Sequence, residues 1–351
     1  KTGRHQKMVQ LTGFQQPDFN QHDSSRKSWM FVVLLLAILM IIGFSVGSSS
    51  NEIIVTNKTV PFWQKVASIF SISEKIDPDY IMPEKEESRL DVLVLGIRGE
   101  NDPDAADGGA LLTDTIMIFS FDKVTGNASI VSLPRDFYLK IDKNKTDKIN
   151  TVYEYGHYHK NGGIAYSKEI FSKITGVYMD KAVVLDFSLF EKVIDAVEGI
   201  DITLAKPFEE KQQWGNSFYL PEGKNHLDGQ NALYYARSRF SSSDFDRSRR
   251  QQEVVFALKD KLSRHSWWTD PLKTIGIVTA LNSNIKTDFN IWNAKELLDL
   301  GKEISFADKI NKYVISTENL VYESRFDEAY ILLPAGDDLT KVKQLFQDVI
   351  K

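Results

Sequence analysis

Five of the twelve arginines in this 351-residue chain fall within fourteen residues: Arg237, Arg239, Arg247, Arg249 and Arg250, in YYARSRFSSSDFDRSRRQQEVV. Guanidinium forks bind phosphate oxygens through paired hydrogen bonds and keep their charge when buried. Arg237 and Arg239 stand where a helix gives way to a loop. Arg247 and Gln251, four residues apart, share a face of the next helix, with Val254 and Val255 continuing toward the core. Arg249 lies four residues before Glu253 and reads as half of a solvated pair. A loop feeding a helix N-terminus also favours an anion through the helix dipole. The segment reads either as a site for a phosphorylated ligand or as an exposed basic face neutralised by Asp244, Asp246 and Glu253.

A second set lies upstream. NDPDAADGGALLTDT puts Asp102, Asp104 and Asp107 in a glycine-rich loop before Asp114, which opens a strand. Carboxylates at a strand end beside such a loop can hold Mg²⁺ against a phosphate. Plain solvation of the loop is the alternative, and the glycine and glutamate positions of an EF-hand are missing. Arg135, in SLPRD, follows a strand directly and so projects from a sheet end, where α/β ligand sites form.

Several chemistries are excluded. The chain has no cysteine, which removes thiol nucleophiles, zinc ribbons, iron–sulfur ligation and disulfides. There is no GxSxG, HExxH or Walker loop. His157 and His159 are close but have no further zinc ligands beside them. With 48 acidic against 43 basic residues the net charge is −5, unlike a basic nucleic-acid binder.

The elements that must position these groups follow from periodicity. Apolar, partly β-branched runs at 91–97, 114–121, 128–134, 182–187, 200–205, 311–316 and 329–333 predict strands. Helical spacing covers 164–176, 187–198, 245–262, 291–303 and 338–350, and Asp228 is an N-cap candidate for a helix through Arg237. Interleaved strands and helices over about 260 residues (90–351) predict one α/β domain with a central sheet covered by helices. Hydrophobic residues make up 42% and charged residues 26%, enough apolar material for such a core and too much for a disordered chain.

Trp29–Gly47 is uncharged for nineteen residues. As a helix it would span roughly 28 Å, close to the hydrocarbon thickness of a bilayer. Lys1, Arg4, Lys7, Arg26 and Lys27 precede it, so the positive-inside rule places residues 1–28 in the cytoplasm and the rest outside. The run exceeds the core of an ordinary cleaved signal peptide. Residues 48–89 are expected to connect it to the domain, partly as an amphipathic helix around Phe62 and Trp63 that lies on the membrane or packs on the domain.

With these residues in view, the chain resembles the LytR-CpsA-Psr family of envelope proteins. The resemblance rests on LTDTIMIFSFD, IVSLPRDFYLKI, KINTVYEYG, FEKVIDAVEGIDI, LDGQNALYYARSR, DFDRSRRQQ and ILLPAG, in this order behind one N-terminal anchor, over about three quarters of the chain. It implies a three-layer α/β/α sandwich with a central mixed sheet and an apolar tunnel for a polyprenyl chain. It implies a phosphotransferase of the cytoplasmic membrane, Mg²⁺-assisted, that moves a glycopolymer from a polyprenyl pyrophosphate carrier onto peptidoglycan or another envelope acceptor. Pyrophosphate hydrolysis would be its side reaction when water replaces the acceptor. Under this resemblance Arg135, Arg237, Arg239, Arg247 and Gln251 bind the pyrophosphate, Asp114 holds the metal and Asp244 is the base. The chain departs from the family pattern at Arg98, where LG-x-D would put an aspartate, and at Leu112, two residues before the metal aspartate. The second metal carboxylate is then expected at Asp107, or at Asp102, in the longer loop. The same departures leave a rival reading, an inert module that binds or senses polyprenyl phosphates.

Overall fold

The computed structural model describes residues 82–264, 286–288 and 310–351, apart from 101, 103–108, 212, 214–216 and 327. Trp29–Gly47, most of the connector, Asp107 and the helix expected over 291–303 lie outside the described residues. Among those described, no helix is long and apolar enough to cross a membrane.

Strand β1 (Arg89–Ile97) is buried along most of its length, as a strand with neighbours on both faces must be. It pairs antiparallel with β2 (Thr113–Asp122) and parallel with β6 (Lys181–Leu185). β2 pairs antiparallel with β3 (Ala128–Ser132), and β3 parallel with β12 (Ile310–Val314). The short β11 (Lys286–Thr287) closes the other edge antiparallel to β6, giving a mixed six-stranded sheet of order β11-β6-β1-β2-β3-β12.

Side-chain alternation divides this sheet into two unlike faces. Leu93, Leu95, Ile97, Ile116, Ile118 and Val131 point into one core with α1 (Val152–His159), α2 (Gly163–Thr175) and α6 (Thr340–Asp348), through Tyr153, Ile170, Phe171 and Phe346. The opposite face carries Val94, Gly96, Thr115 and Met117, which line a cleft beneath three further helices. These are α3 (Phe187–Ala196), α4 (Gly229–Arg237) and α5 (Asp244–Arg264). They share a second core built on Leu189, Ile194, Ile200, Leu227, Tyr235 and Val254. The sheet thus lies between two helical layers, as its alternating pattern predicts.

Two details differ from the sequence reading. The strand expected over 182–187 stops at Leu185, because the Asp186 carboxylate accepts the Leu189 amide at 2.8 Å and starts α3 at Phe187. The strand expected at 200–205, observed as β7 (Ile200–Leu204), does not join the main sheet. It forms a separate antiparallel ribbon with β10 (Gly223–Leu227), and β8 (Phe208–Glu210) and β9 (Phe218–Leu220) form another.

Polar pins fix the helices on the sheet. Gln252 donates to Ser132 Oγ at 2.8 Å and to the Tyr313 carbonyl at 2.9 Å, which anchors α5 across β3 and β12. Buried Arg250 donates to the carbonyls of Tyr235 (2.9 Å) and Ser238 and to Ser242 Oγ (3.0 Å), satisfying the open C-terminal end of α4. Replacing it strands those acceptors. Arg250→Met is expected to cost about 2–4 kcal/mol, as losing hydrogen bonds to a buried charge does, and urea denaturation followed by circular dichroism measures it.

Candidate functional site

The sheet ends and the helices α4 and α5 bring the sequence candidates to one place. Arg135, Arg237, Arg239, Arg247, Gln251 and Asp114 all line the cleft between the Val94–Met117 face and α3–α5. Each is aimed by an identifiable local feature.

Asp114 owes its direction to a β-bulge. Gly96 pairs with Thr115 but Ile97 pairs with Thr113, so Asp114 is the extra residue. Bulges re-aim a side chain in this way. Thr115 and Met117 keep the regular alternation and line the same cleft, so a regular strand would have turned Asp114 to the far face. Gly96 keeps the approach open, since a Cβ there would come within 2.8 Å of Thr115 Cβ.

Arg135 leaves the end of β3 and forms an ion pair with Asp114, with Asp136 Oδ2 at 3.5 Å from its Nε. Asp136 in turn holds Lys148 at 2.6 Å. Arg247, in the first turns of α5, pairs with Asp244 at 2.8 Å and donates to the Asp114 carbonyl at 3.1 Å. Arg237 ends α4 and lies over the Phe187 ring at 4.0 Å. Gln213, which the sequence reading passed over, fixes the following loop by donating to the Arg237 carbonyl (3.1 Å) and accepting the Arg239 amide (2.7 Å).

The site's electrostatics follow from burial. Loss of water pushes the Asp244 carboxyl up, against the pull of Arg247 and Arg135. Burial would lower Arg135, but Asp114, Asp136 and Asp244 outweigh it and hold its guanidinium above the ordinary value. Arg247 is drawn down by burial and remains a cation, as guanidinium does at any accessible pH. The Nε–H groups of Arg135 and Arg247 are both buried, and no described residue accepts a hydrogen bond from either. Buried donors of this kind are normally satisfied. The guanidiniums of both arginines line the same cleft, beside Arg237 and Arg239.

The carboxylates lining the cleft are Asp114 and Asp186. Each uses Oδ1, for Arg135 and for the Leu189 amide respectively, and no described residue donates to either Oδ2. Gly99 lies beside Asp186: its φ is +96°, and a Cβ there would come within 2.8 Å of Asp186 Cβ, so no side chain fits. No group of three or more His, Asp or Glu that could cage a metal occurs among the described residues. Mg²⁺ needs less, because one or two carboxylates suffice when substrate phosphates complete the shell, and this donor set fits that arrangement. Asp186 was missed because its cap position in LDF gives it an ordinary structural role; only the parallel pairing of β6 with β1 puts it at this sheet end.

Other expectations resolve differently. Arg249 does not pair with Glu253. It pairs with Asp246 (2.6 Å) and Glu318 (3.2 Å), while Glu253 accepts the Tyr235 hydroxyl at 2.6 Å. Arg250, one of the five clustered arginines, serves the fold. The cluster is therefore divided: three arginines in the cleft, one on the surface, one in the core.

Known proteins show the same architecture. Regulatory protein MsrR of Staphylococcus aureus is 32% identical over 207 residues, 58% of each chain, so the match spans little more than half of that relative's length. The Bacillus subtilis protein named polyisoprenyl-teichoic acid–peptidoglycan teichoic acid transferase TagV is 28% identical over 243 residues, 67% of this chain and 59% of the relative. Its crystal structure superposes with a TM-score of 0.58 at 26% identity, covering 76% of this chain and 98% of that one. B. subtilis TagT with bound octaprenyl pyrophosphate has the same fold, at a TM-score of 0.54 and 21% identity over 75% of this chain and 91% of TagT. The LytR_cpsA_psr family model matches residues 50–347, so that the bulge at Asp114, the sheet end at Arg135 and the α4–α5 arginines all fall within it, and the chain belongs to the LytR-CpsA-Psr family.

Proposed function

We propose that this protein is a membrane-anchored phosphotransferase that moves a glycopolymer from a polyprenyl pyrophosphate carrier to peptidoglycan or another envelope acceptor. The observation that carries this reading is the convergence of Arg135, Arg237, Arg239 and Arg247 on one cleft with apolar walls. A pyrophosphate answers the four guanidiniums. A polyprenyl tail answers the cleft, whose walls include Val94, Met117, Leu185, Phe190, Leu233 and Val255. The names of TagV and TagT with its octaprenyl pyrophosphate support the same substrate class.

In this reading Arg135, Arg237, Arg239, Arg247 and Gln251 grip the pyrophosphate and spread its charge. Asp114 and Asp186 are the described residues that would hold Mg²⁺. When bound, the ion neutralises the phosphate oxygens and eases departure of the leaving group. Asp244 takes the proton of the acceptor hydroxyl. The acceptor oxygen bonds to the glycan-bearing phosphorus, the P–O–P bond breaks, and polyprenyl phosphate leaves with the electron pair. The product is a phosphodiester. Trp29–Gly47 would anchor the chain with its N-terminus inside, keeping this site beside its lipid donor.

The full chain in lipid nanodiscs, given octaprenyl pyrophosphate with and without Mg²⁺, tests the reading by bound lipid in native mass spectrometry and by released phosphate. Mg²⁺-dependent binding and release are expected. Binding without release, even with a glycan acceptor added, would establish the inert binding module, and absence of binding would end both readings. A narrower result is expected for Asp186→Asn. Asparagine keeps the helix cap at little cost, so the fold stays while affinity for Mn²⁺ with inorganic pyrophosphate, read by electron paramagnetic resonance, falls about tenfold or more with the lost carboxylate.

A further inference from the structure

Four two-stranded ribbons stand outside the main sheet: β4 (Tyr138–Asp142) with β5 (Lys145–Lys148), β7 with β10, β8 with β9, and β13 (Val321–Phe326) with β14 (Ala329–Pro334). The β8–β9 ribbon reaches the loop that carries two arginines of the cleft. Its base is fixed on α4. The Phe208 ring meets Tyr235 edge-on with centroids 5.2 Å apart, and Phe218 meets Tyr234 at 5.7 Å. From that base two side chains extend to the loop after α4. Buried Glu210 accepts the Ser241 amide at 3.0 Å and the Ser241 hydroxyl at 3.1 Å on one carboxylate oxygen. Gln213, three residues on, lines the cleft and holds the backbone between Arg237 and Arg239.

This second clasp copies a sheet. In a parallel ladder a residue donates its N–H to the carbonyl of residue i−1 and accepts the N–H of residue i+1. The Gln213 side-chain amide does the same around Ser238, donating to the Arg237 carbonyl at 3.1 Å and accepting the Arg239 amide at 2.7 Å. Ser238 is correspondingly extended, at φ −56° and ψ 132°. Its own amide donates to the Tyr234 carbonyl at 2.9 Å, and its carbonyl accepts from Arg250. All four backbone polar groups from the Arg237 carbonyl to the Arg239 amide are thereby held. An arginine side chain is long and flexible. The backbone it leaves from must be fixed if its guanidinium is to meet an anion without reorganising. Gln213 supplies two of the four holds, from an element outside the arginine cluster.

We infer that Gln213 is a positioning residue for the pyrophosphate grip: it clasps the Arg237–Arg239 backbone from the β8–β9 ribbon and so holds both guanidiniums ready for the donor. Its effect passes through those arginines and not through a contact of its own with the ligand. This rests on the proposed reading of the cleft as a pyrophosphate site and deepens it by giving the ribbon a share in donor affinity.

A double-mutant cycle separates positioning from direct contact. The full chain in lipid nanodiscs is titrated with octaprenyl pyrophosphate at fixed Mg²⁺, with bound lipid read by native mass spectrometry, for wild type, Gln213→Met, Arg239→Ala and the double variant. Methionine keeps the length of glutamine but makes neither hydrogen bond. Gln213→Met is expected to bind about tenfold more weakly than wild type, within the range for a misplaced binding group. Arg239→Ala keeps the backbone amide that Gln213 holds and loses the guanidinium it positions. Adding Gln213→Met to that background should therefore cost no more than about threefold, the part that acts through Arg237. Both bonds lie at or near the surface, so the fold is expected to hold, and circular dichroism of each variant confirms it. Binding by Gln213→Met equal to wild type overturns the inference. So does the same tenfold loss with and without the Arg239 side chain, which would make Gln213 a direct contact of the ligand. The two failures are distinguishable: a wild type that binds no octaprenyl pyrophosphate ends the transferase reading, and one that binds it no better than Gln213→Met refutes the positioning role alone.

Discussion

Arg247→Ala is expected to lower glycopolymer transfer by about a thousandfold, the upper range for removing one transition-state donor from a water-poor site. Three roles converge on this side chain. It carries one of the two buried Nε–H groups that no described residue accepts from, it donates to the Asp114 carbonyl, and it is the ion-pair partner of Asp244. Its side chain is only 5% exposed, so its loss also opens a cavity and takes away the ion-pair partner of Asp244, leaving the more distant Arg135 and Arg239 as its counter-charges. Breaking a buried pair from one side costs roughly 2–4 kcal/mol of stability. That cost has a sign in pH. The Asp244 carboxyl already titrates above the ordinary carboxylate range because burial disfavours its charge, and without Arg247 it moves further up. A raised carboxyl favours the folded state when protonated, and this advantage is lost as pH rises through the folded pKa. The variant should therefore be least stable relative to wild type near neutral pH and recover as pH falls. Thermal melts from pH 4 to 8 beside transfer assays check both effects; equal transfer by variant and wild type would remove Arg247 from the site.

The second large effect is expected at Asp244. Removing a general base costs about 10²–10⁴ in rate, so Asp244→Asn should be nearly inactive in transfer while keeping a side chain of similar shape opposite Arg247. The pH profile is the more telling measurement. As pH falls through the raised pKa of Asp244 the base is protonated, and the wild-type rate should fall with an acid limb above the ordinary carboxylate range. The asparagine variant has no proton to take up there, and its residual rate should show no such limb. An unchanged limb in the variant would assign it to another group and leave Asp244 as a mere partner of Arg247.

Much of this site was legible before any fold was known, because arginines are scarce in the chain and five of them crowd into fourteen residues. Spacing also placed Arg247 and Gln251 on one helical face and put Asp228 at the cap of α4, where its carboxylate accepts the Asn231 amide at 2.8 Å. Local periodicity gives such results because caps and helical faces depend on residues three or four apart. It could not sort the arginines among themselves. Arg249 and Arg250 are adjacent and of one type, yet one meets Glu318 on the surface and the other closes the end of α4. Those partners are far away in sequence or belong to another helix.

By itself, then, the sequence determined the α/β class, the order of strands β1, β2, β3, β6, β7 and β12 and of helices α2 to α6, the scarcity of other catalytic groups and the clustering of phosphate-binding residue types, since each depends on composition or short-range periodicity. Tertiary structure alone decided which of those residues act together. The parallel pairing of β6 with β1 brought Asp186 to the sheet end, and a register shift of a single residue turned Asp114 toward the arginines. These are consequences of strand register, and register is set by pairing between segments distant in the chain, which no local pattern encodes.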